Sequence, residues 1–92
     1  MYLEIVSPEA TLFSGEVTSV TVPGVNGEFQ MLNNHEPIIS LLQEGNVKVD
    51  GNVVIEEAYT SKFSKDADGK TILPITSGTV EMKDNKVIVL AD

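Results

Sequence analysis

The strongest constraint on this chain is a hydrophobic pattern of period two, interrupted at short intervals by turn residues. In residues 16–22, Thr18, Val20 and Val22 share one face, and Phe29 and Met31 share one face of the next extended segment. Because successive strand side chains point to opposite faces, this alternation is typical of β-strands. The pattern predicts an all-β fold, an antiparallel sandwich or flattened barrel of about ten short strands.

The segment "VTVPGVNGEF" carries two turn signals in quick succession, Pro23-Gly24 and Asn26-Gly27. Both pairs are typical of turns, and each glycine can supply a positive φ. Together they predict a protruding loop between two strands, with the carboxylate of Glu28 at its exit. Two glycines explain the turns, but they do not explain the acidic residue. Because loops on a stiff scaffold often carry contacts, we interpret this tip as a docking site.

Two further hairpins are predicted from turn chemistry. A three-residue loop at residues 50–52 would pair Val49 with Val53 and Val47 with Ile55, placing all four on one face. A turn at residues 84–85 would pair Met82 with Val87 and Val80 with Val89, with Lys83 opposite Lys86.

Two stretches are less regular. Residues 35–44 could begin a helix at Pro37, but their aliphatic side chains also suit a buried strand, which is the prediction adopted. Residues 62–70 are polar and charged around Asp68-Gly69 and are predicted to be a loop.

Length and composition narrow the class of protein. The 92 residues fit one domain, residues 1–92, and a hydrophobic fraction of 41% suffices for one core. Six Lys and Arg face fourteen Asp and Glu, a net charge of −8. This charge argues against nucleic-acid binding and against anionic lipid. It suits a basic or polar protein partner, or serves solubility alone.

The chain has no stretch that could cross a bilayer, because its apolar runs, such as residues 87–91, are only a few residues long. Residues 1–15 lack a basic leader followed by an apolar run, so no secretory signal is expected. Direct membrane insertion is therefore not predicted, and any membrane association would go through a partner.

No catalytic constellation is evident. The chain has one histidine and no cysteine, so thiolate metal sites are excluded. His35 and Glu36 are adjacent and would face opposite sides of a strand, which favours a structural or solvent-exposed role for His35. Asp66-Ala-Asp-Gly69 resembles the start of a calcium loop but lacks the later glutamate, so a turn is predicted. No cofactor and no metal site are predicted.

The longer pattern resembles a known family, the N-terminal β-sandwich domain of the epsilon subunit of bacterial F-type ATP synthase, the counterpart of the mitochondrial delta subunit. The resemblance covers residues 3–49 and 75–92, while residues 30–34 and 59–71 depart from the family pattern. The matching positions are Phe13-Ser14-Gly15, Pro23-Gly24, Gly27-Glu28, Leu32, His35, Pro37, Gly45, Ser77-Gly78, Glu81 and residues 87–92.

The resemblance implies a noncatalytic rotor subunit of the central stalk, which packs on the gamma subunit and rests on polar loops of the c-ring. Carried over by position, Gly27 and Glu28 fall on the c-ring-facing loop, and His35 falls on a nearby loop of the same end. The implied location is peripheral, on the cytoplasmic face of the bacterial inner membrane.

Many members of this family continue into a helical hairpin after the final strand, and this sequence stops at Asp92. A form without the C-terminal helical domain is therefore expected. The alternative function is a free-standing β-sandwich binding module for carbohydrate or calcium. The absence of tryptophan and the small number of aromatic residues disfavour glycan binding.

Overall fold

The computed structural model describes residues 1–92 and confirms the all-β prediction. The ten strands are β1 Tyr2–Val6, β2 Thr11–Glu16, β3 Ser19–Gly24, β4 Gly27–Leu32, β5 Ile38–Leu42, β6 Gly45–Asp50, β7 Ser64–Lys65, β8 Thr71–Ile75, β9 Gly78–Lys83 and β10 Lys86–Ala91. A single 3₁₀ helix covers Glu57–Lys62, so the predicted loop of residues 62–70 is partly ordered as this helix, β7 and a turn.

The sheet folds over itself where two pairs of consecutive strands, β5 with β6 and β8 with β9, change direction. β5 and β6 are separated by two residues and both run antiparallel to β3, while β8 and β9 are likewise separated by two residues. β9 pairs with β5 on one side of the bend, and β8 pairs with β6 on the other. The result is two layers, a first layer of β2-β1-β10-β9-β5 and a second layer of β4-β3-β6-β8-β7.

The inward faces of the two layers form the core. Aliphatic residues at alternate strand positions are excluded from solvent there, as the period-two pattern predicts. The most deeply buried side chains are Leu3, Ile5, Val20, Val22, Met31, Val47, Val49, Val80, Met82, Val87 and Val89.

One strand pair departs from the expected antiparallel arrangement. β1 and β10 are parallel, with Leu3 beside Val87 and Ile5 beside Val89. Tight turns join only antiparallel neighbours, and these two strands come from opposite ends of the chain. Their pairing is therefore set by core burial rather than by a local turn, and turn signals could not predict it.

The predicted hairpin at residues 84–85 is confirmed. Met82 lies opposite Val87 and Lys83 opposite Lys86. Asp84 and Asn85 have φ values of 52° and 60°. These two positive angles are those of the type I′ turn, whose twist matches that of the flanking strands.

The predicted hairpin at residues 50–52 is wrong. Val49 pairs with Val20 on one side and Thr71 on the other, so both edges of β6 are occupied. Residues 53–56 therefore have no edge of β6 to join, and they form no strand. Val53 and Ile55 still pack at the margin of the core.

The prediction of a strand within residues 35–44 is confirmed, but the prediction that it is buried is wrong. β5 is the last strand of the first layer, and Leu42 faces the core. Ile39 and Leu41 face outward, with 76% and 64% of their surfaces exposed.

Glycines allow close approach where the sheet bends. A Cβ added at Gly45 would lie 2.7 Å from the Cβ of Pro23, and one added at Gly78 would overlap the carbonyl oxygen of Leu90. Neither glycine has a positive φ, so the requirement is space rather than backbone conformation.

We predict that Gly78→Ala destabilises the chain by about 1–3 kcal/mol, because the obstructing atom is backbone of a paired strand and cannot rotate away. Urea unfolding followed by circular dichroism measures the change. Thr76→Ala, at an exposed position in the same connection, should change the unfolding free energy by less than about 0.5 kcal/mol. Equal stability of Gly78→Ala and the parent chain would contradict the role assigned to this contact.

Candidate functional site

The β3–β4 hairpin is tighter than its two turn signals predict. Gly24 pairs with Gly27, so the turn consists of Val25 and Asn26 alone. Gly27 has a φ of +125°, whereas Gly24 has an ordinary negative one. The predicted protruding loop with two turns is therefore wrong, and the Pro23-Gly24 pair belongs to β3.

Contacts at the bend explain why Pro23-Gly24 is strand rather than turn. The carbonyl of Pro23 accepts a hydrogen bond from the amide of Gln43 at 2.9 Å. The ring of Phe29 lies over Gly24, where an added Cβ would meet it at 2.9 Å. Gly24 is thus required for close packing and not for a left-handed backbone.

Glu28 lies on β4 and forms an ion pair across β3. Its Oε2 is 3.3 Å from Nζ of Lys48 on β6, and the two side chains are 53% and 34% exposed. Thr21, Gln30 and Lys70 line the same shallow groove. Glu28 is therefore paired on the sheet surface rather than unpaired at a loop tip. Its partner is 20 residues away in sequence, so only the register of β3 and β6 brings the two together.

His35 lies in the connection between β4 and β5. Asn34 adopts a positive φ of 62°, and the amide of His35 donates to the carbonyl of Leu32 at 3.0 Å, which closes a tight turn. Nδ1 of His35 lies 2.8 Å from the carbonyl oxygen of Glu36. Because a carbonyl can only accept, Nδ1 carries the proton in this hydrogen bond. The half-buried ring therefore has Nε2 left for another contact.

Glu28 and His35 do not share one loop. Gly27 and Glu28 begin β4, whereas His35 follows its end at Leu32. A strand rises about 3.3 Å per residue, so the Cα atoms of Glu28 and Leu32 are about 13 Å apart. The expectation that His35 lies on a nearby loop of the same end is wrong.

A single edge of the sheet nevertheless connects these residues. β4 pairs with β3 alone and is thus an edge strand. Glu28, Gln30 and Leu32 point outward from it, with Leu32 54% exposed. We call the length of β4 with its flanking turn and the connection to β5, residues 25–36, the β4 edge. It is mainly polar.

A second surface, which the sequence interpretation missed, lies on the outer side of the first layer. Strand register places Val6, Leu90, Thr79 and Leu41 side by side across β1, β10, β9 and β5. A neighbouring row contains Glu4, Ile88, Glu81 and Ile39. We call Val6, Ile39, Leu41, Ile88 and Leu90 the outer apolar face.

The sequence did contain a signal for this surface. Residues 87–91 are apolar at successive rather than alternate positions, and residues 38–42 are apolar except at Ser40, which indicates strands covered on both faces. Here one face meets the core and the other is open, with Leu90 48% exposed. The exposed apolar residues form two groups on this face, one on β5 and one on β1 and β10, with Thr79 and Glu81 of β9 between them. Exposed apolar groups rimmed by polar residues are typical of protein-binding surfaces.

The structure explains the calcium-like motif as a turn, as predicted. Oδ1 of Asp66 accepts hydrogen bonds from the amides of Asp68 and Lys70, both at 2.9 Å, and Gly69 has a φ of +82°. The carboxylate that would bind an ion thus closes its own turn. No group of three His, Asp or Glu side chains is arranged to hold a metal ion. None of the helical structure is long and apolar enough to traverse a bilayer.

Comparison with known proteins gives a consistent result over the whole chain. Residues 1–92 match the family model described as ATP synthase, Delta/Epsilon chain, beta-sandwich domain. The ATP synthase epsilon chain of Campylobacter curvus is 36% identical over 92 residues, and the chain spans 60% of its length. The epsilon chain of Chlorobium limicola is 33% identical over 90 residues, and the chain spans 86% of it.

Solved structures show the same fold. A chain in the central stalk/c-ring structure of Tetrahymena thermophila mitochondrial ATP synthase superposes with a TM-score of 0.73 at 14% identity, covering 99% of this chain and 62% of that one. A chain from the Euglena gracilis mitochondrial ATP synthase gives 0.72 at 20% identity, covering 97% and 48%.

We predict that the ion pair of Glu28 and Lys48 contributes less than about 1 kcal/mol to stability, because both side chains are partly exposed and solvent screens their attraction. A double-mutant cycle of Glu28→Gln and Lys48→Gln, measured by urea unfolding, isolates this coupling energy. The coupling should shrink further in 1 M salt. A coupling energy above about 2 kcal/mol would instead assign Glu28 a structural role.

Proposed function

This chain belongs to the ATP synthase delta/epsilon chain β-sandwich family, and from that premise we propose that it is a noncatalytic rotor subunit of the central stalk. In this role it couples rotation of the c-ring to the gamma subunit of a proton-translocating F-type ATP synthase. The observation that carries the proposal is the presence of two chemically different surfaces, the outer apolar face and the β4 edge, on one domain with a continuous core.

The outer apolar face is the surface we assign to the gamma subunit. Ile39, Leu41 and Leu90 are each about half exposed or more; the first two lie on β5 and the third on β10, with β9 between these strands. Burying such side chains against a partner contributes about 25 cal/mol per Å² of apolar surface, before the costs of association are subtracted. Permanent subunit interfaces are the most hydrophobic class, so the burial of apolar surface contributes most to them.

The β4 edge is the surface we assign to the polar loops of the c-ring. Glu28 and Gln30 present polar groups from the strand, and His35 presents Nε2 from the connection that follows. Gly27 shapes the turn at the other end. Polar and charged groups at a contact contribute more to orientation and selectivity than to affinity, which suits a surface that transmits position.

The stiffness of the domain supports this assignment. β3 pairs with β4 and also with β5 and β6, so strand pairing continues from β4 through β3 to β5 in the first layer. Close-packed interiors have low compressibility and transmit strain. A displacement imposed on β4 would thus reach the outer apolar face through paired strands and packed side chains, without an intervening flexible linker.

The chain supplies no residues for catalysis in this proposal; it acts through contacts alone. We place it peripherally on the cytoplasmic face of the bacterial inner membrane, held there by its protein partners. The similarity to ATP synthase epsilon chains supports attachment to that complex. A calcium-binding module finds no comparable support, because the Asp66 carboxylate closes its own turn, and the small number of aromatic residues disfavours a carbohydrate-binding one.

We predict that Leu41→Asp lowers the affinity for the gamma subunit about 10- to 100-fold, because it removes an aliphatic side chain and places a charge in an apolar contact. Isothermal titration calorimetry with purified gamma measures the change. Val54→Asp is the matched control, since Val54 is 77% exposed but lies outside the outer apolar face.

Both variants should unfold at temperatures within a few degrees of the parent chain, because each side chain is mostly exposed already. Equal affinity of the Leu41→Asp variant and the parent would contradict the assignment of this face. Equal losses in both variants would indicate a general effect of added charge.

For the β4 edge we predict that Glu28→Gln reduces ATP-driven proton pumping in membranes carrying the complete synthase, whereas Lys48→Gln does not. Lys48→Gln removes the same ion pair but leaves the carboxylate available to the c-ring, so it separates partner contact from the intramolecular contact. Fluorescence quenching in inverted vesicles measures pumping at matched ATPase activity. Identical losses in the two variants would show that only the ion pair matters.

A further inference from the structure

Side-chain amides from two separate turns meet near the amino terminus. Oδ1 of Asn33 accepts hydrogen bonds from the amino nitrogen of Met1 at 2.8 Å and from Nδ2 of Asn85 at 3.0 Å. Oδ1 of Asn85 accepts from the backbone amide of Asn34 at 2.7 Å. We call Asn33, Asn34 and Asn85 the asparagine cluster. It ties the connection between β4 and β5 to the β9–β10 turn, 51 residues further along the chain.

Asn85 occupies the centre of this cluster. Its backbone carbonyl accepts from the amide of Tyr2 at 3.0 Å, at the start of β1. Both polar atoms of its side chain are directed to the connection, one to Asn33 and one to Asn34. The turn itself does not require this side chain, because glycine at the second position of a type I′ turn is equally or better suited.

The connection that receives these bonds has little other support. Between Leu32 and Ile38 its own backbone contributes one hydrogen bond, from the amide of His35 to the carbonyl of Leu32. The positive φ of Asn34 adds a conformation that asparagine tolerates but does not prefer. The side-chain bonds of the asparagine cluster therefore restrict where the connection, and the imidazole of His35, can lie.

We propose that Asn85 is a positioning residue, which fixes the His35 connection in the orientation that the β4 edge presents to its partner. This inference rests on the proposed function, in which His35 contributes to the c-ring contact. The partner recognised is a polar loop, because the group held in place is the Nε2 atom of His35, whose Nδ1 is already hydrogen-bonded to the carbonyl of Glu36.

The variant Asn85→Gly tests the contribution of the side chain independently of the turn. It retains the type I′ hairpin, since Asp-Gly is among the preferred pairs for this turn, and it removes both side-chain bonds. Hydrogen exchange by NMR on the purified chain should show about tenfold faster exchange of the Asn34 amide, with core amides of β9 and β10 unchanged. Asp84→Asn is the matched control, because it changes the neighbouring turn residue, leaves both Asn85 side-chain bonds in place, and asparagine tolerates the φ of 52° there.

A second variant, Asn33→Ala, leaves the β9–β10 turn untouched and removes the acceptor shared by Met1 and Asn85. It should also accelerate exchange at residues 34–35. Unchanged exchange at Asn34 in the Asn85→Gly variant would overturn the inference at its first step, whatever the function of the chain.

The functional arm compares ATP-driven proton pumping by the complete synthase carrying Asn85→Gly, His35→Ala or Asp84→Asn. Losses of at least twofold in the first two, with Asp84→Asn at the parent level, would support the inference. Loss in His35→Ala alone would overturn positioning by Asn85 while sustaining the proposed contact. No loss in His35→Ala, together with faster exchange in Asn85→Gly, would overturn the role of His35 in coupling and leave the asparagine cluster as an element of folding only.

Discussion

The close backbone approach at the bend of the sheet is the contact on which the other features depend. Pro23 packs against Gly45, and Gly78 lies against the carbonyl of Leu90, where no side chain could be accommodated. Because Gly45 and Gly78 carry no side chain, the β5–β6 and β8–β9 segments can approach closely and bend together at this place. Without the bend the ten strands would form one open sheet, and neither layer would have a partner to cover its apolar side.

The same bend determines what each surface presents. It makes β5 the last strand of the first layer, so that its second apolar side, with Ile39 and Leu41, faces outward instead of meeting another layer. It also leaves the β3–β4 hairpin beyond β6, where β4 has one neighbour and a free edge. The apolar face and the polar edge are thus consequences of a single arrangement of strands, and a change at the bend would affect both.

Sequence reasoning succeeded where the determining interactions are local. The hairpin at Asp84 and Asn85 follows from two positive φ angles and alternating flanks, and its register was predicted residue by residue. The hairpin at residues 50–52 has equally good local signals and does not form, because β3 and β8 occupy both edges of β6. Strand competition of this kind is decided by distant segments, which local patterns do not describe.

The candidate site shows the same division between local and distant information. The turn at Gly27 and the position of Glu28 at the start of a strand were accessible from the sequence, since glycine and strand alternation are local signals. The pairing of Glu28 with Lys48 and the attachment of the His35 connection to Asn85 were not. Each depends on register between elements that are far apart in sequence, so no spacing rule identifies the partners.

In the proposed role, the chemistry of the two surfaces implies that their contacts differ in strength. The outer apolar face would lose water on binding and hold its partner tightly, with little dependence on salt. The β4 edge would exchange one set of polar contacts for another, which yields modest affinity and a dependence on ionic strength. In that role, we expect the subunit to remain with the stalk when the membrane sector separates from it. The apolar face then sustains the assembly, while the polar edge determines how the domain is oriented on the ring.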